Sequence, residues 1–354
     1  MRVATVVGNR PQFVKAAAVS AVLRRRHEEV LIHTGQHHDA ELSAIFFEEL
    51  ALPAPDHRLG VAGGRNSSQL ARMLGKLATL IAEFAPDATL VYGDTNSTLA
   101  GALAAADLGI PLVHVEAGMR SFDRTMPEER NRVLTDQLAG LLLCSSEAAA
   151  EQLRAEQAPG TAVVVGDVMV DVALATRARV ASLAPSLLGE LGLEARGYLL
   201  ATAHRAANVD DPQHLAALVA LLEALEQPIV LPLHPRTRER LRSHGLLERA
   251  LRAARVIDPL GYLEFAALLA NARAVLTDSG GVQKEAYLAR VPCLTLRVQT
   301  EWTETVASGW NTLVGLDPGA VRAALARPEP VEHPRLYGDG HAAERVVAAI
   351  EGRV

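Results

Sequence analysis

The chain has 354 residues, of which 49% are hydrophobic, 21% charged and 4% aromatic, and its formal net charge is −6 at pH 7. The length favours two domains, and the composition is that of a globular protein. The acidic balance and the few aromatic side chains argue against a surface that binds a nucleic-acid backbone or stacks bases, so any phosphate recognised here should be small and local.

Short apolar runs alternate with amphipathic stretches of a dozen residues or more, which is typical of βαβ units around a parallel sheet. In the first half we predict strands near 2–8, 29–34, 88–93, 111–115, 139–144 and 161–166. Helices are predicted between them, near 13–26, 39–50, 67–84, 96–108, 128–138 and 147–155.

The second half repeats this alternation after a mostly helical connector, residues 167–196. Strands are predicted near 197–203, 228–232, 254–257, 273–277, 292–296 and 311–314. Helices are predicted near 211–226, 236–243, 261–270, 281–289, 317–326 and, after a glycine-rich break, 341–354. We therefore predict an α/β protein of two doubly wound domains, with the boundary at residue 167.

The termini and cysteines bear on location. Residues 1–8 are too short for a signal peptide, and no apolar run approaches the length of a membrane span. Cys144 and Cys293 lie far apart with no neighbouring cysteine, so neither a disulfide framework nor a zinc site is indicated. We expect a cytoplasmic protein that does not enter the membrane.

In an open parallel sheet, ligands bind outside the carboxyl ends of the strands. The polar residues that directly follow the predicted strands are therefore the candidates for a site, and if two such sheets face a cleft, these groups converge. They are Asn9, Arg10, Gly35, Gln36, His37, Gly93, Asp94, Thr95, Glu116, Ala117, Gly118, His204, Arg205, His234, Pro235 and residues 278–281.

The turn Asp278-Ser279-Gly280-Gly281 lies between a predicted strand and a predicted helix. Glycine lets the backbone approach a ligand closely, and free N–H groups and the dipole of a helix start favour an anion. Ser279 adds a hydroxyl donor, and Glu285 is one helical turn further on, where it can accept from ribose hydroxyls. The alternative is a capped helix after a tight turn.

A group of acids, Asp94, Glu116 and Glu128, together with His204, is the candidate acid–base set. Several carboxylates in one site shift each other's pKa and supply separate acids and bases. Each has a structural alternative: Asp94 as a helix cap, Glu128 as a charge at a helix start after Pro127. Glu116 is harder to explain structurally, because no strong helix begins there. The cations proposed for a diphosphate are Arg10, Lys15, His204 and Arg205, with Lys15 as a surface residue as the alternative.

Metal and nicotinamide sites are not indicated. The string His37-His38-Asp39 has no second cluster at ligand spacing. The glycine-rich string at 338–343 has no preceding strand, so it does not indicate a dinucleotide.

In this order, a set of short strings resembles the non-hydrolysing UDP-N-acetylglucosamine 2-epimerases over nearly the whole chain. They are Gly8-Asn9-Arg10-Pro11-Gln12, Thr34-Gly35-Gln36-His37, Gly93-Asp94-Thr95, His114-Val115-Glu116-Ala117-Gly118, Pro127-Glu128-Glu129-Arg130-Asn131-Arg132, His204-Arg205, the run 278–285 and Tyr337-Gly338-Asp339-Gly340.

The resemblance implies a GT-B-like fold of two Rossmann-like domains, 1–167 and 168–340, facing a central cleft, with the helix 341–354 crossing back to the first. It also implies a homodimer, no metal and no nicotinamide. The C2 proton of UDP-N-acetylglucosamine would be removed while UDP leaves, and the glycal would be reprotonated before UDP returns. The residues implied are Asp94, Glu116, Glu128 and His204 for catalysis, and Arg10, Lys15, Arg132, Arg205, Phe265 (near the uracil), Ser279, Gly280, Gly281 and Glu285 for binding.

The sequence departs from the family pattern at Asn9, Gln12, Ala207, Lys284 and Thr303. None of these changes removes a proposed catalytic carboxylate. Three other functions stay open: a hydrolysing epimerase, a glycosyltransferase with the same fold and a non-catalytic nucleotide-sugar sensor. The sequence also leaves open a second, allosteric nucleotide-sugar site, which some members of the family have.

Overall fold

A computed structural model describes residues 1–36 and 40–354. This part of the chain divides into two compact units. Unit 1 comprises Met1–Ala175 and Arg335–Val354, and unit 2 comprises Thr176–Pro334. The chain leaves unit 1 within a long helix that begins directly after the predicted boundary, and it returns before the predicted C-terminal helix.

The described residues of unit 1 form a seven-stranded parallel sheet. Its strands are β1 (Arg2–Val7), β2 (Glu28–His33), β3 (His57–Arg58), β4 (Ala88–Tyr92), β5 (Leu112–Ala117), β6 (Leu141–Cys144) and β7 (Thr161–Val164). Their order is β3-β2-β1-β4-β5-β6-β7, so the winding reverses between β1 and β4. Nearly every residue of β1 and β4 is buried, as expected for strands covered on both faces.

Unit 2 contains a six-stranded parallel sheet. Its strands are β8 (Leu199–Thr202), β9 (Ile229–Pro232), β10 (Arg255–Ile257), β11 (Ala274–Thr277), β12 (Cys293–Thr295) and β13 (Asn311–Leu313). Their order is β10-β9-β8-β11-β12-β13, so this sheet reverses between β8 and β11. Alternate residues enter two separate cores: Leu199 and Ala201 pack on one face, Leu200 and Val275 on the other.

Helices connect the strands in both units. In chain order they are α1 (Arg10–Leu23), α2 (Ala40–Glu49), α3 (Asn66–Phe84), α4 (Asn96–Asp107), α5 (Pro127–Leu138), α6 (Glu147–Ala155), α7 (Val168–Glu190), α8 (Ala206–Val209), α9 (Pro212–Glu223), α10 (Pro235–Ser243), α11 (Leu247–Ala253), α12 (Tyr262–Asn271), α13 (Gly280–Leu288), α14 (Thr303–Ala307), α15 (Pro318–Leu325) and α16 (Ala342–Glu351).

The twelve longer strands and the helices predicted from periodicity are confirmed, with shifts of up to about three residues at their ends. The two-residue strand β3 and the short helices α8, α11 and α14 are additional. Among the described helices, none combines the length and apolarity that a bilayer crossing requires.

The two reversal points bring the candidate residues together within each unit. In unit 1 the ends of β1 and β4 lie side by side, followed by Asn9 and Arg10 on one strand and by Gly93 and Asp94 on the other. In unit 2 the ends of β8 and β11 are neighbours, followed by the His204 loop and by residues 278–281. A reversal point at the carboxyl ends of the strands is where open α/β sheets bind ligands.

Candidate active site

Two polar residues that depart from the family pattern follow β1: Asn9 caps α1, and Gln12 joins the ends of β1 and β4. The Asn9 side chain accepts from the Gln12 backbone N–H at 3.2 Å and caps α1. Gln12 Oε1 accepts from Gly8 N–H at 2.7 Å, while its Nε2 donates to the Tyr92 carbonyl at 2.8 Å. An amide can accept and donate at once, whereas a carboxylate cannot donate. The amide of Gln12 can therefore make both of these hydrogen bonds, which a glutamate could not.

Glu116 lies at an irregularity in β5. Its φ is +70°, and the pairing of β5 with β6 shifts register between Val115 and Ala117. The Glu116 carboxylate forms an ion pair with Lys15 Nζ, and both side chains are only 11% exposed. Lys15 is therefore a partner of the central candidate acid and is largely buried.

The close packing of this pair explains Gly93. A Cβ at Gly93 would lie 3.1 Å from Glu116 Oε2 and 3.4 Å from Lys15 Nζ, and the φ of Gly93 is +61°. Glycine meets both requirements, since it has no Cβ and tolerates positive φ.

Asp94 is paired with Arg132 of α5 and does not cap α4. Thr95 takes the capping position, with its side chain accepting from the Thr98 N–H. The Arg132 guanidinium contacts the Asp94 carboxylate and also donates to Glu129 at 3.0 Å. The structural alternative for Asp94, a helix cap, is thus wrong.

Neighbouring acids at the start of α5 have different surroundings. Glu129 is 2% exposed, and its carboxylate accepts from the backbone N–H groups of Ser121 and Phe122 at 2.9 Å. Glu128 is half-buried, and within the described residues it has no hydrogen-bond or ion-pair partner. Of the two acids, Glu128 is therefore the one whose carboxylate is not engaged by the described part of the chain.

Arg10 begins α1 and is half-buried. Its guanidinium lies 5.5 Å from the centroid of the Phe46 ring, a cation–π distance. In unit 1, the cations Arg10 and Lys15 thus lie on the helix that follows β1.

Asp278 organises the loop after β8 in unit 2. Its carboxylate is fully buried and accepts from the backbone N–H groups of His204 and Arg205 at 3.0 to 3.2 Å, and from Asn208 Nδ2 at 3.0 Å. The His204 ring is about half exposed, with Nδ1 3.7 Å from Asp278. Asp278 therefore fixes the His204 loop, while the His204 ring is accessible.

The turn at 279–281 has the features of an anion site. Ser279 precedes α13, and its side chain makes no capping hydrogen bond. The N–H groups at the start of the helix, and the helix dipole, favour an anion. A Cβ at Gly280 would overlap the Glu301 carboxylate, whereas at Gly281 the nearest atom is Ser279 Oγ at 3.9 Å.

Two residues near this turn were missed by the sequence analysis. Glu301 pairs with Arg205 at 3.5 Å and with Arg297 at 2.9 Å, and the Arg297 side chain is 9% exposed. Burial lowers the pKa of Arg297 against the opposing effect of Glu301. Arg297 lies two residues after β12, so extending the strand-end rule to this strand would have included it.

Glu285 and Phe265 lie on the helices beside the turn. Burial raises the pKa of Glu285 from 4.5 to about 7, and nearby Lys284 opposes this shift. Lys284 itself is buried, with Nζ 4.2 Å from the Trp302 ring centroid. Phe265 is half-buried and packs against one core of unit 2.

Within the described residues, no group of three or more His, Cys, Asp or Glu side chains is arranged to hold a metal ion. The string His37-His38-Asp39 lies outside the described residues.

The model of the UDP-N-acetylglucosamine 2-epimerase family matches residues 21–351. The chain belongs to the UDP-N-acetylglucosamine 2-epimerase family. A UDP-N-acetylglucosamine 2-epimerase homolog of Methanococcus maripaludis is 44% identical over 99% of both chains. The UDP-2,3-diacetamido-2,3-dideoxy-D-glucuronate 2-epimerase of Pseudomonas aeruginosa is 45% identical over 98% of both.

A solved structure supports the same assignment. The crystal structure of the Methanocaldococcus jannaschii UDP-GlcNAc 2-epimerase, in complex with UDP-GlcNAc and UDP, is 37% identical to this chain. It aligns with a TM-score of 0.92 over 99% of this chain and 100% of the other. The predictions of an enzyme, of this epimerase family and of a GT-B-like fold with two Rossmann-like units are confirmed.

Proposed function

We propose that the chain interconverts UDP-N-acetylglucosamine and UDP-N-acetylmannosamine by epimerisation at C2 of the sugar. The observation that carries the proposal is a pair of carboxylates on adjacent strands. Asp94 follows β4 and is paired with Arg132, while Glu116 lies near the end of β5 and is paired with Lys15. Moving a proton on two faces of one carbon requires two proton-handling groups, and two separately held carboxylates can supply them.

The reaction that we propose has two half-reactions. In the first, a carboxylate takes the C2 proton while the C1–O bond breaks, which releases UDP and leaves a 2-acetamidoglucal. In the second, another group returns a proton to the opposite face of C2 while a β-phosphate oxygen of UDP bonds to C1. Asp94, Glu116 and Glu128 are the candidate proton-handling groups.

UDP has to be bound as a leaving group and then as a nucleophile. We propose that the N–H groups and hydroxyl of residues 279–281 bind its phosphates together with Arg205 and His204, and that Glu285 accepts from the ribose hydroxyls. Phe265 would lie beside the uracil. Hydrogen bonds aimed at a developing negative charge lower the barrier to its departure.

Three cations of unit 1, Arg10, Lys15 and Arg132, complete the proposed set. Lys15 and Arg132 each form an ion pair with a candidate acid, so they also hold these two carboxylates in place. Arg10 is placed in the first turn of α1 and is proposed to contact the diphosphate.

The test is incubation with UDP-N-acetylglucosamine in D2O, followed by NMR at C2. The proposal expects UDP-N-acetylmannosamine to form with deuterium at C2. Free UDP in amounts equal to the sugar consumed would instead support a hydrolysing epimerase. A lack of deuterium without an added acceptor would reject both epimerases and favour a transferase or a sensor.

A second substrate is favoured by one comparison. The Pseudomonas aeruginosa relative, whose name specifies UDP-2,3-diacetamido-2,3-dideoxy-D-glucuronate, is as similar to this chain as the Methanococcus maripaludis homolog. The same C2 chemistry would then act on a sugar with a carboxylate at C6 and a second acetamido group. Measuring kcat/KM for both nucleotide sugars decides between them, and a ratio above about 100 in either direction corresponds to roughly 3 kcal/mol of discrimination.

We also propose that the chain is a cytoplasmic homodimer. Cys144 and Cys293 are free, buried thiols, as is usual for proteins of a reducing compartment. Sedimentation analysis should give twice the chain mass of 37.7 kDa. A single chain mass at micromolar concentration would reject the dimer.

A further inference from the structure

A buried histidine connects the elements that carry the candidate acids of unit 1. His114 lies in β5, two residues before Glu116, and is fully buried. Its Nδ1 is 2.7 Å from Asp136 Oδ1, and its Nε2 is 2.7 Å from the carbonyl oxygen of Gly93.

Both of these contacts are with acceptors. A backbone carbonyl carries no hydrogen, so Nε2 must donate to Gly93. Burial alone would raise the pKa of Asp136, but hydrogen bonds and charge from His114 and Arg120 outweigh it, and the pKa is lowered. Nδ1 faces a carboxylate oxygen, so the His114 ring is held between two acceptors, and its Nε2–H is fixed on the Gly93 carbonyl.

The second oxygen of Asp136 extends the connection. It accepts from Arg120 Nη1 at 2.7 Å and from Gly118 N–H at 3.2 Å. Asp136 itself lies on α5, the helix that carries Glu128 in its first turn. His114 and Asp136 thus connect three parts of unit 1, which are the end of β4, the segment that follows β5, and helix α5.

The contact with Gly93 reaches the candidate catalytic groups directly. Gly93 precedes Asp94, and its Cα packs against the Glu116 and Lys15 ion pair. A shift of the Gly93 carbonyl would therefore move the Asp94 backbone and the surface on which Glu116 rests.

We propose that His114 is a positioning residue, whose Nε2–H holds the Gly93–Asp94 turn and thereby sets the places of the Asp94 and Glu116 carboxylates. This inference rests on the proposed function. His114 would act through the turn without touching the substrate.

Stability alone does not account for this pair. Leu112, the neighbour of His114 on the same face of β5, is buried and apolar, so an apolar side chain would suit this face of the strand. Replacing a buried ion pair by well-packed apolar groups is often neutral or stabilising. The Gly93 carbonyl requires a donor at this position, which is a geometric reason for a histidine here.

Two substitutions separate the two hydrogen bonds of the ring. In H114Q the Gln Nε2 replaces the ring Nε2 and retains the bond to Gly93, while in H114N the Asn Nδ2 replaces Nδ1 and retains the bond to Asp136. The proposal expects H114N to lower kcat roughly 10- to 100-fold, since a misplacement of about 1 Å has effects of this size. H114Q should stay within about fivefold of the wild type, and UDP Kd should stay within about twofold in both.

The matched control is E29Q, which changes another buried carboxylate of unit 1. Glu29 accepts from Thr5 and Ser20 hydroxyls at 2.7 and 2.8 Å and pairs with Arg24, near the amino ends of β1 and β2. The E29Q variant should have a lower melting temperature than the wild type but an unchanged kcat. The proposal would be overturned if H114N and H114Q had equal kcat, or if H114N were the faster of the two. It would also be overturned if E29Q lost as much kcat as H114N. If H114N does not fold, H114M, which has no donor, takes its place with the same criteria.

A second measurement keeps this inference separate from the proposed reaction. Wild-type chain that shows no exchange at C2 would reject the reaction. The hydrogen bonds are then judged by ¹H–¹⁵N NMR of the His114 ring. A slowly exchanging Nε2–H signal supports the hydrogen bond to Gly93, and a ring without a hydrogen on Nε2 overturns it.

Discussion

Glu116 has a backbone conformation that few non-glycine residues adopt. With φ at +70° it costs of order 1–3 kcal/mol, and such strain persists where the surroundings determine it. Here the bulge in β5 turns the side chain toward Lys15 and Gly93. Strained residues of this kind cluster at active sites, which agrees with the role that we propose for Glu116.

We predict that E116Q binds UDP normally and loses exchange at C2. The amide keeps the size of the carboxylate but is not a base at neutral pH, and a positioned acid or base contributes about 10²- to 10⁴-fold to rate. Calorimetry with UDP and deuterium incorporation into UDP-N-acetylglucosamine measure the two effects. E29Q is the control, and full exchange activity in E116Q would remove Glu116 from the mechanism.

The stability of the ligand-free chain should depend on pH through Glu285. Its pKa is about 7 in the folded chain and near 4.5 when exposed. Protonated Glu285 therefore stabilises the folded state fully below the exposed pKa of 4.5. This contribution, at most about 3 kcal/mol, is lost as pH rises through the folded pKa of about 7.

Urea unfolding of the wild type and of E285Q between about pH 4.5 and pH 8 measures this contribution. The free energy of unfolding of the wild type should fall relative to that of E285Q as pH increases. Parallel curves for the two proteins would show that the pKa of Glu285 is not raised in the folded chain.

Sequence reasoning located most of the candidate side chains but not their partners. The polar residues after strands include Asp94, Glu116 and His204, since strand ends follow from the apolar runs. That Asp278 and Glu129 serve the fold could not be predicted, because a carboxylate that holds a backbone and one that faces a ligand look alike in sequence.

At the scale of elements, the start of α13 requires glycine for a specific reason. The Glu301 carboxylate occupies the space that a Cβ at Gly280 would need, and it also holds Arg205 and Arg297. The turn, the helix start and two arginines are therefore packed around one buried acid.

We predict that G280A raises the Kd for UDP at least about tenfold, or 1.4 kcal/mol, because Glu301 and its arginines must move. The control is G189A in α7, where an added Cβ meets no atom within 4 Å. This change should stabilise the chain by about 0.5–1 kcal/mol and leave UDP binding unchanged. Equal Kd values for G280A and the wild type, measured by calorimetry, would contradict the role of this turn.

Most elements were predictable because buried parallel strands and amphipathic helices have strong periodic patterns. Helix α1 begins earlier than predicted, since Asn9 caps it and Pro11 suits its first turn. The short helices α8 and α14 have one turn each, which is too short for a periodic signal, and β3 has two residues.

At the scale of the whole molecule, both units have a parallel sheet whose winding reverses once, and both place their candidate residues at that point. This placement follows from the alternation of strands and helices, which the sequence contains. The specific substrate does not follow from it, because the same fold serves several chemistries. Membership of the UDP-N-acetylglucosamine 2-epimerase family supports the chemistry of a sugar-nucleotide epimerase.

The departure and return of UDP are the central claim, and an isotope label tests them directly. UDP-N-acetylglucosamine would carry ¹⁸O at the oxygen that joins C1 to the β-phosphate, and ³¹P NMR would follow the label during the reaction. If the C1–O bond breaks and UDP rotates before it returns, the label should appear at non-bridging β-phosphate positions while the epimer forms with deuterium at C2. An epimer that forms with all of its label still in the bridge would contradict elimination and re-addition.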